Sequence, residues 1–539
     1  MSTTSKKWEI KSSYPDDIVG AILKGRKLEA AEFFGNDYND LDKLAQLDNL
    51  PPAKKLIEKY KKGKIVIYCD YDVDGICGGA ILYRILRRKK YNVGYYIPLR
   101  RDGYGMNKEA IDKIADDDVD LIITVDCGIR DIEEVKYAQE KGIEVIITDH
   151  HKVGKKVPDC LIIHPSLGKS RANLKLSGGG VAFMLGKEIL ENENVAKWFL
   201  DLAALSTFAD MVELIGANRI IAKYGLIVLN QTKNFGLISL IKYSELSLGD
   251  INEYHIGFVL APKINASGRL EDPKMSFELL VTDDKCKADE IAKYLVELNQ
   301  KRQRIVGDFL AELVDKVHAR GVGNLIYEIN ENYQEGILGL ISGKITEKFY
   351  RPSIIFSLSG DKLRGSARSI SGIDITNLFA KHSHLLDNYG GHSMAAGLSL
   401  NKKNLEKFVK LIEADIGKLG VAIFDRVVRI DVLIRANQIN MKLVGELETM
   451  QPFGIGNPRP VLMLEDVAVS RSLLCGRDKN HQQLTISGAG GELEAILFNI
   501  KENGMLEIGK QYDIAFNLQK EIFRSRNSIK AFVRNYRTK

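Results

Sequence analysis

Residues 64–75 read KIVIYCDYDVDG, a short β-rich apolar run that ends in Asp70, Asp72 and Asp74 and is closed by Gly75. The pattern recurs downstream: LIITV (121–125) runs into Asp126-Cys127-Gly128, and VIIT (145–148) runs into Asp149-His150-His151. Two further runs, NVGYYI (92–97) and LII (161–163), lack the acids, and amphipathic stretches at 76–90, 107–117 and 131–141 lie between the runs. Near-continuous apolar strands alternating with helical periods predict βαβ units and a parallel sheet buried on both faces.

Ligands of such an open sheet bind outside the carboxyl ends of its strands. The three acidic strand ends therefore aim at one cleft. That many carboxylates would repel one another and hold their protons unless cations neutralised them. Hard divalent ions, Mg²⁺ or Mn²⁺, suit carboxylates, and imidazole adds a preference for Mn²⁺. DYDVDG alone would equally suit a calcium-type loop or a polar turn; three acidic motifs on consecutive strand ends would not.

Beyond the sheet, 178–245 is mostly helical in pattern, and 285–320, rich in Lys, Glu and Arg, reads as a long connecting helix. A second α/β region follows at about 322–418. From about 425 short alternating strands (426–434, 460–469, 482–487, 492–498, 511–519, 529–535) predict a small β-barrel.

At 539 residues the chain is too long for one core, which argues for three or four domains. Its 45% hydrophobic and 27% charged residues match a soluble globular protein, and no window approaches 18 uncharged apolar residues. The opening MSTTSKKWEIKSS has basic residues without an apolar run behind them, which speaks against a secretory signal. Six cysteines without a CxxC pair make neither a disulfide framework nor a zinc site, so a reducing cytoplasm is the expected setting. The net charge of +6 is mild, but residues 521–539 concentrate Arg524, Arg526, Lys530, Arg534, Arg537 and Lys539, interleaved with Phe523, Phe532 and Tyr536. Cations with aromatics between them can hold a phosphate backbone and stack its bases; a solvated final hairpin accounts for them equally well. No G-x-G-x-x-G opens the first βαβ unit and no P-loop occurs, so neither NAD nor ATP binding is expected.

The motif TDHH (148–151), with DYDVDG, IPLR (97–100), GYG (103–105), TVDCGI (124–129), SGGGVAF (177–183), ADMVEL (209–214), LAPKINASGRL (260–270), GSARS (365–369) and GGHSMAAG (390–397), resembles the DHH phosphoesterase superfamily. Within it, the order of these motifs is similar to the RecJ family of bacterial 5′-to-3′ single-strand-specific DNA exonucleases, from about residue 50 to the C-terminus. The resemblance implies an α/β multidomain chain: an N-terminal extension (1–50), a parallel-sheet DHH catalytic domain (51–284), a connecting helix (285–320), a second α/β, DHH-associated substrate-binding domain (321–420), and an OB-like nucleic-acid-binding β-barrel (421–539).

It also implies a two-cation site, Mn²⁺ or Mg²⁺. Asp74, Asp126, His150 and Asp210 match the ligands of one ion and Asp72 with Asp126 those of the other, Asp126 bridging. Some family branches carry a histidine where this chain has Tyr68, and Asp70 is the expected substitute. His151 matches the histidine that faces the scissile phosphate, and the two cations would activate a water for in-line attack. Arg100, Arg269, Ser366 and Arg368 stand where relatives grip a 5′-phosphate, with neighbouring Arg101 the alternative to Arg100. GGHSMAAG reads as a glycine turn into a helix that brings His392 to substrate phosphate, and SGGGVAF as mainly structural. The expected partners are single-stranded DNA with a 5′ end and, by resemblance, a single-strand-binding protein and a helicase, the chain acting as a monomer in recombination and repair. Two other readings remain open: a DHH phosphodiesterase of short oligonucleotides or cyclic dinucleotides, against which 425–539 argues, and an inactive DHH scaffold, against which the intact acidic motifs argue.

Overall fold

The computed structural model describes residues 7–168, 175–488, 491–523 and 526–539. Two compact units emerge, Tyr38–Phe424 and a second made of Met1–Asp37 with Asp425–Lys539.

The larger unit is built on five strands, β1 (Lys64–Cys69), β2 (Asn92–Tyr96), β3 (Leu121–Val125), β4 (Glu144–Thr148) and β5 (Leu161–Ile163). All pair in parallel, in the order 2-1-3-4-5. The strand order reverses between β1 and β3, and the crevice at that switch point is where doubly wound sheets bind ligands. Ile65, Ile67 and Cys69 of β1 face one core cluster while Val66 and Tyr68 face the other, so both faces are buried, as the unbroken apolar runs require.

From β1 the chain turns directly into α1 (Val73–Arg88), whose N-terminus is capped by Asp72. Against α1 packs α2 (Gly178–Leu190). A Cβ at Gly78 would lie 2.9 Å from the Cα of Gly179, so the two helices meet backbone to backbone. Helix α3 (Leu200–Ala209) completes this layer, and a 36-residue helix, α4 (Lys285–Arg320), leads onward.

A second sheet follows: β6 (Ile326–Asn330), β7 (Ser353–Ser359), β8 (Lys362–Arg368), β9 (Asn388–His392) and β10 (Ala395–Asn401), in the order 9-10-8-7-6, covered by α5 (Glu335–Phe349). Here the structure corrects an expectation. GGHSMAAG is not a turn into a helix but a β-hairpin, with His392 paired to Ala395 and Gly391 to Ala396. Gly391 sits at φ +139°, and a Cβ there would lie 2.6 Å from the Cα of Ala396. The glycines therefore serve cross-strand approach, not helix initiation.

In the smaller unit the strands Leu462–Cys475, His481–Gly488, Gly491–Leu497, Arg526–Thr538 and Gln511–Phe523 pair in that order, and the first and last close the barrel. The residues expected as an N-terminal extension divide between the units. Strand Lys7–Ile10 lies parallel to Val427–Ile430, and helix Ile18–Gly25 buries Ile18, Ile22 and Leu23 among Val432, Leu443 and Leu462. Arg26 anchors this segment, with Nε and Nη2 each donating to the Asp431 carboxylate at 3.0 Å.

The terminal cations are largely engaged inside this unit. Lys530 pairs with Glu521, Arg534 is drawn inward to Asn517, Arg537 lies over the Trp8 ring at 4.3 Å, and Lys539 pairs with Asp466. Arg524, with the side chains of Phe523 and Arg526, lies outside the described residues.

Candidate metal centre and phosphate pocket

The acids of the three strand ends converge as their placement predicts. Asp72 begins α1, its Oδ1 accepting from the N–H groups of Asp74 (2.9 Å) and Gly75 (3.3 Å). A Cβ on Gly75 would meet the Asp70 carbonyl at 2.5 Å, so the DYDVDG turn closes this tightly only around glycine. Asp74 is held by a part of the chain a hundred residues away: the N–H groups of Gly178 and Gly179, at the start of α2, donate to its two oxygens at 2.7 Å each, and the Ser206 hydroxyl of α3 adds a third donor at 2.5 Å. The helix N-terminus itself favours an anion there. SGGGVAF thus does more than pack; the signal was a glycine run at a helix start with Ser177 as its N-cap.

Asp126 follows β3 in the left-handed region, φ +63°, a conformation costly for a residue with a side chain and characteristic of functional turns. Its Oδ1 lies 3.1 Å from Nε2 of His150. The same nitrogen is 3.5 Å from Asp74 and 3.6 Å from Asp210, the residue that ends α3. Candidate ligand atoms fall into three overlapping groups, Asp74–His150–Asp210, Asp70–Asp72–Asp126 and Asp126–His150–His151, each within 4.8 Å.

Three atoms in this cluster, Asp126 Oδ1, His150 Nε2 and Asp70 Oδ1, are buried without a hydrogen-bond partner among the described residues. Burial and the Asp72 charge hold the Asp70 carboxyl well above the usual range. Burial with the charges of Asp74 and Asp72 does the same to Asp126, and burial with those same charges lifts Asp210 to about 9. Burial lowers the His150 pKa, favouring the neutral imidazole. Carboxylates that repel one another around a neutral imidazole, with buried lone pairs left over, are a donor set that divalent cations would satisfy. Tyr68 takes no part. It points to the opposite face of the sheet, stacks on Tyr96 and donates to the Gly105 carbonyl at 2.9 Å.

Asp149 plays a different role from the other acids. One of its oxygens accepts from the N–H groups of His150 (2.7 Å) and His151 (3.1 Å), and the other from Ile129 (3.0 Å). Burial opposes its charge, but the His151 ring and these N–H groups hold it down at about 2. Nδ1 of His151 lies 2.9 Å from Asp149 and 2.8 Å from the hydroxyl of Tyr104, which itself donates to the Asp126 carbonyl. Burial pushes the His151 pKa down, and the Asp149 hydrogen bond and charge more than reverse this. A proton on Nδ1 satisfies Asp149 and leaves Nε2 available.

Four guanidiniums gather beside these acids. Arg100 stacks over the Tyr71 ring at 4.2 Å and donates to the Gly268 carbonyl at 3.2 Å, whereas Arg101 projects outward, 78% exposed. Arg269 donates to the Gly336 carbonyl at 2.9 Å. Arg368 donates to Ser366 (3.2 Å) and to the Ala367 carbonyl (2.9 Å). The fourth, Arg302 of α4, was not anticipated, because in sequence it is one cation among many on a charged helix. Burial, then the charges of Arg100 and Arg302, push Arg269 down to about 9, and Nε of both Arg269 and Arg302 is buried without a hydrogen-bond partner among the described residues. Crowded, under-satisfied guanidiniums fit a multivalent anion such as a phosphate. His392 stands close enough to His151, Arg130 and Lys152 for their charges to add to burial in lowering its pKa.

Three family models match the chain: "DHH family, N-terminal domain" over residues 64–207, "DHHA1 domain" over 322–418 and "RecJ OB domain" over 430–535. The single-stranded-DNA-specific exonuclease RecJ of Bacillus subtilis is 35% identical over 524 residues, covering 93% of this chain, which spans 66% of that relative's length. The RecJ exonuclease of Haemophilus influenzae is 30% identical over 511 residues, covering 89% of this chain and 88% of its own. Among solved structures, that of Thermus thermophilus RecJ in complex with Mn²⁺ superposes with a TM-score of 0.85 at 26% identity, covering 99% of this chain and 80% of that one.

Proposed function

From the premise that this chain belongs to the RecJ family of single-stranded-DNA-specific exonucleases, we infer that it hydrolyses single-stranded DNA from the 5′ end to 5′-mononucleotides with divalent cations, Mn²⁺ or Mg²⁺. The observation that carries this reading is the pair Asp126 Oδ1 and His150 Nε2, buried, 3.1 Å apart and unbonded within a ring of acids at the sheet's switch point.

Asp74, Asp126, His150 and Asp210 would hold one cation, and Asp72, Asp126 and Asp70 the other, with Asp126 shared. Bound there, the cations supply an activated water and neutralise charge on the attacking and leaving oxygens. The chain's own residues do the rest. Gly178, Gly179 and Ser206 hold the Asp74 carboxylate in place and aim it. Asp149 fixes the His151 tautomer, so that Nε2 can hydrogen-bond the scissile phosphate or assist the departing 3′-oxygen. Arg100, Arg269, Ser366 and Arg368, joined by Arg302, hold the 5′-phosphate and so set the polarity, and His392 contacts a backbone phosphate from its hairpin.

The reading extends to a monomer in the cytoplasm that serves recombination and repair with a single-strand-binding protein and a helicase. Among the described residues the cysteines are free and no helix is long and apolar enough to cross a membrane. The test is direct: incubate the protein with end-labelled single- and double-stranded DNA plus Mn²⁺ or Mg²⁺ and identify the products. Mononucleotides released from the 5′ end of single strands support the reading, whereas internal cuts, degradation from the 3′ end or cleavage of cyclic dinucleotides alone overturn it.

A further inference from the structure

Two of the most exposed large apolar side chains in the larger unit are neighbours. Tyr254 and Phe258 are 59% and 70% exposed, and their rings stack on each other, with centroids 5.0 Å apart and planes at 24°. Nothing in the core accounts for them: Ile256 and Leu260, on the same turn, are fully buried and anchor it. The turn itself is unusual. Ile256–Leu260 is a π-helix running straight into the helix Ala261–Leu270. Such turns are rare and recur at functional sites. Phe258 lies on this turn and Tyr254 just before it, and the helix that follows carries Arg269 near its other end.

We propose that Tyr254 and Phe258 form a base-stacking platform for single-stranded DNA, engaging nucleotides a few positions 3′ of the terminal phosphate. This rests on the function proposed above. Three observations select nucleic acid as the occupant. Phe258 and Arg269 lie eleven residues apart along this helical stretch, roughly 16 Å, or about five stacked nucleotides at about 3.4 Å each. The one charged residue between them in sequence, Lys263, is basic, and its side chain is buried. Lys263 lies on the helix Ala261–Leu270, close enough to Arg302 for that charge to add to burial in weakening its hold on its proton, and Lys263 Nζ donates back along the helix to the Val259 carbonyl at 3.0 Å. Finally, an exposed pair of already stacked rings offers a flat π-face, which every base can use irrespective of sequence.

The test compares full-length wild type with Phe258→Ala, Tyr254→Ala and Phe258→Trp. Affinity for 5′-phosphorylated dT20 is measured by fluorescence anisotropy in metal-free buffer, and cleavage of a 5′-phosphorylated trinucleotide is measured in Mn²⁺. The platform predicts that each alanine variant binds dT20 roughly tenfold more weakly, cuts the trinucleotide at the wild-type rate, and that Phe258→Trp restores affinity. Three results overturn it: unchanged dT20 affinity in both alanine variants, equal loss on the trinucleotide, or a shift in oligomeric mass that makes the pair a contact between copies. A wild-type chain that does not bind dT20 removes the function and the platform together, while wild-type binding with indifferent variants removes the platform alone.

Discussion

The Asp149 carboxylate lies 2.9 Å from Nδ1 of His151 and accepts that residue's backbone N–H at 3.1 Å. The first letter of the Asp-His-His motif is thus a positioning residue. It is spent on orienting its neighbours and is not one of the acids grouped for cations. Asp149→Asn should therefore retain Mn²⁺ binding yet lower kcat about ten- to a hundredfold, the usual effect of losing an outer-shell partner. A flattened or displaced pH–rate profile should accompany the loss. Calorimetric Mn²⁺ titration beside steady-state cleavage separates this from ligation: lost metal affinity would mean that Asp149 is a ligand.

Asp126→Ala should abolish cleavage even in saturating Mn²⁺, because Asp126 stands in two of the three candidate ligand groups. Wild type should gain about 2.7 kcal/mol of stability at a hundred times the metal Kd. The variant should gain little, and a thermal-shift titration reads both. Near-normal turnover in Asp126→Ala would remove the basis for the assignment.

Metal-free protein should lose stability as pH rises. The folded carboxyls of Asp70, Asp126 and Asp210 bind protons more tightly than their unfolded counterparts, Asp210 up to about 9. The folded state therefore carries more protons between about pH 4 and pH 9, and the stability it gains below that window is lost through it. Between pH 7 and 8.5, above the ordinary histidine range, the Tm in EDTA should fall, and Mn²⁺ should cancel the fall. A flat or rising Tm in EDTA would contradict the electrostatic reading of the cluster.

Substrates lacking a 5′-phosphate should be cut more slowly, and Arg368→Ala should erase most of that difference while leaving Mn²⁺ affinity intact. Arg302→Ala should act in the same direction, since its guanidinium faces Arg269. Equal loss on phosphorylated and hydroxyl-ended strands would show that these arginines serve the general path or the fold.

Because Met1–Asp37 folds with Asp425–Lys539, the two possible truncations should behave differently. A chain of 38–424 should fold, bind metal and cut short oligonucleotides, but bind long strands roughly a hundredfold more weakly with a flatter salt dependence. A chain of 1–424 retains Ile18, Ile22 and Leu23 without their partners and should aggregate. Analytical ultracentrifugation and binding isotherms at several salt concentrations check both. Neutralising Arg534 or Arg537 should lower stability more than affinity, since Asn517 and Trp8 already hold them.

The order of motifs along the sequence determined a great deal by itself. Unbroken apolar runs placed all five strands of the first sheet, and the acids at their ends marked the cleft, because period and strand-end chemistry are local properties. The charged helical spacing of 285–320 likewise read correctly as one helix. What sequence could not decide were the partnerships between distant residues. Asp74 bound by Gly178, Gly179 and Ser206, Arg302 brought to Arg269, and strand Lys7–Ile10 paired with Val427–Ile430 all depend on chain closure over a hundred or more residues, or on a helix crossing, that no local period encodes. GGHSMAAG was misread for a related reason: with so few side chains a glycine-rich run has no period, so only strand Lys362–Arg368 beside it decides that it pairs as a hairpin. The terminal cations looked free because sequence shows charge without its partners, and the partners arrive only with the closed barrel.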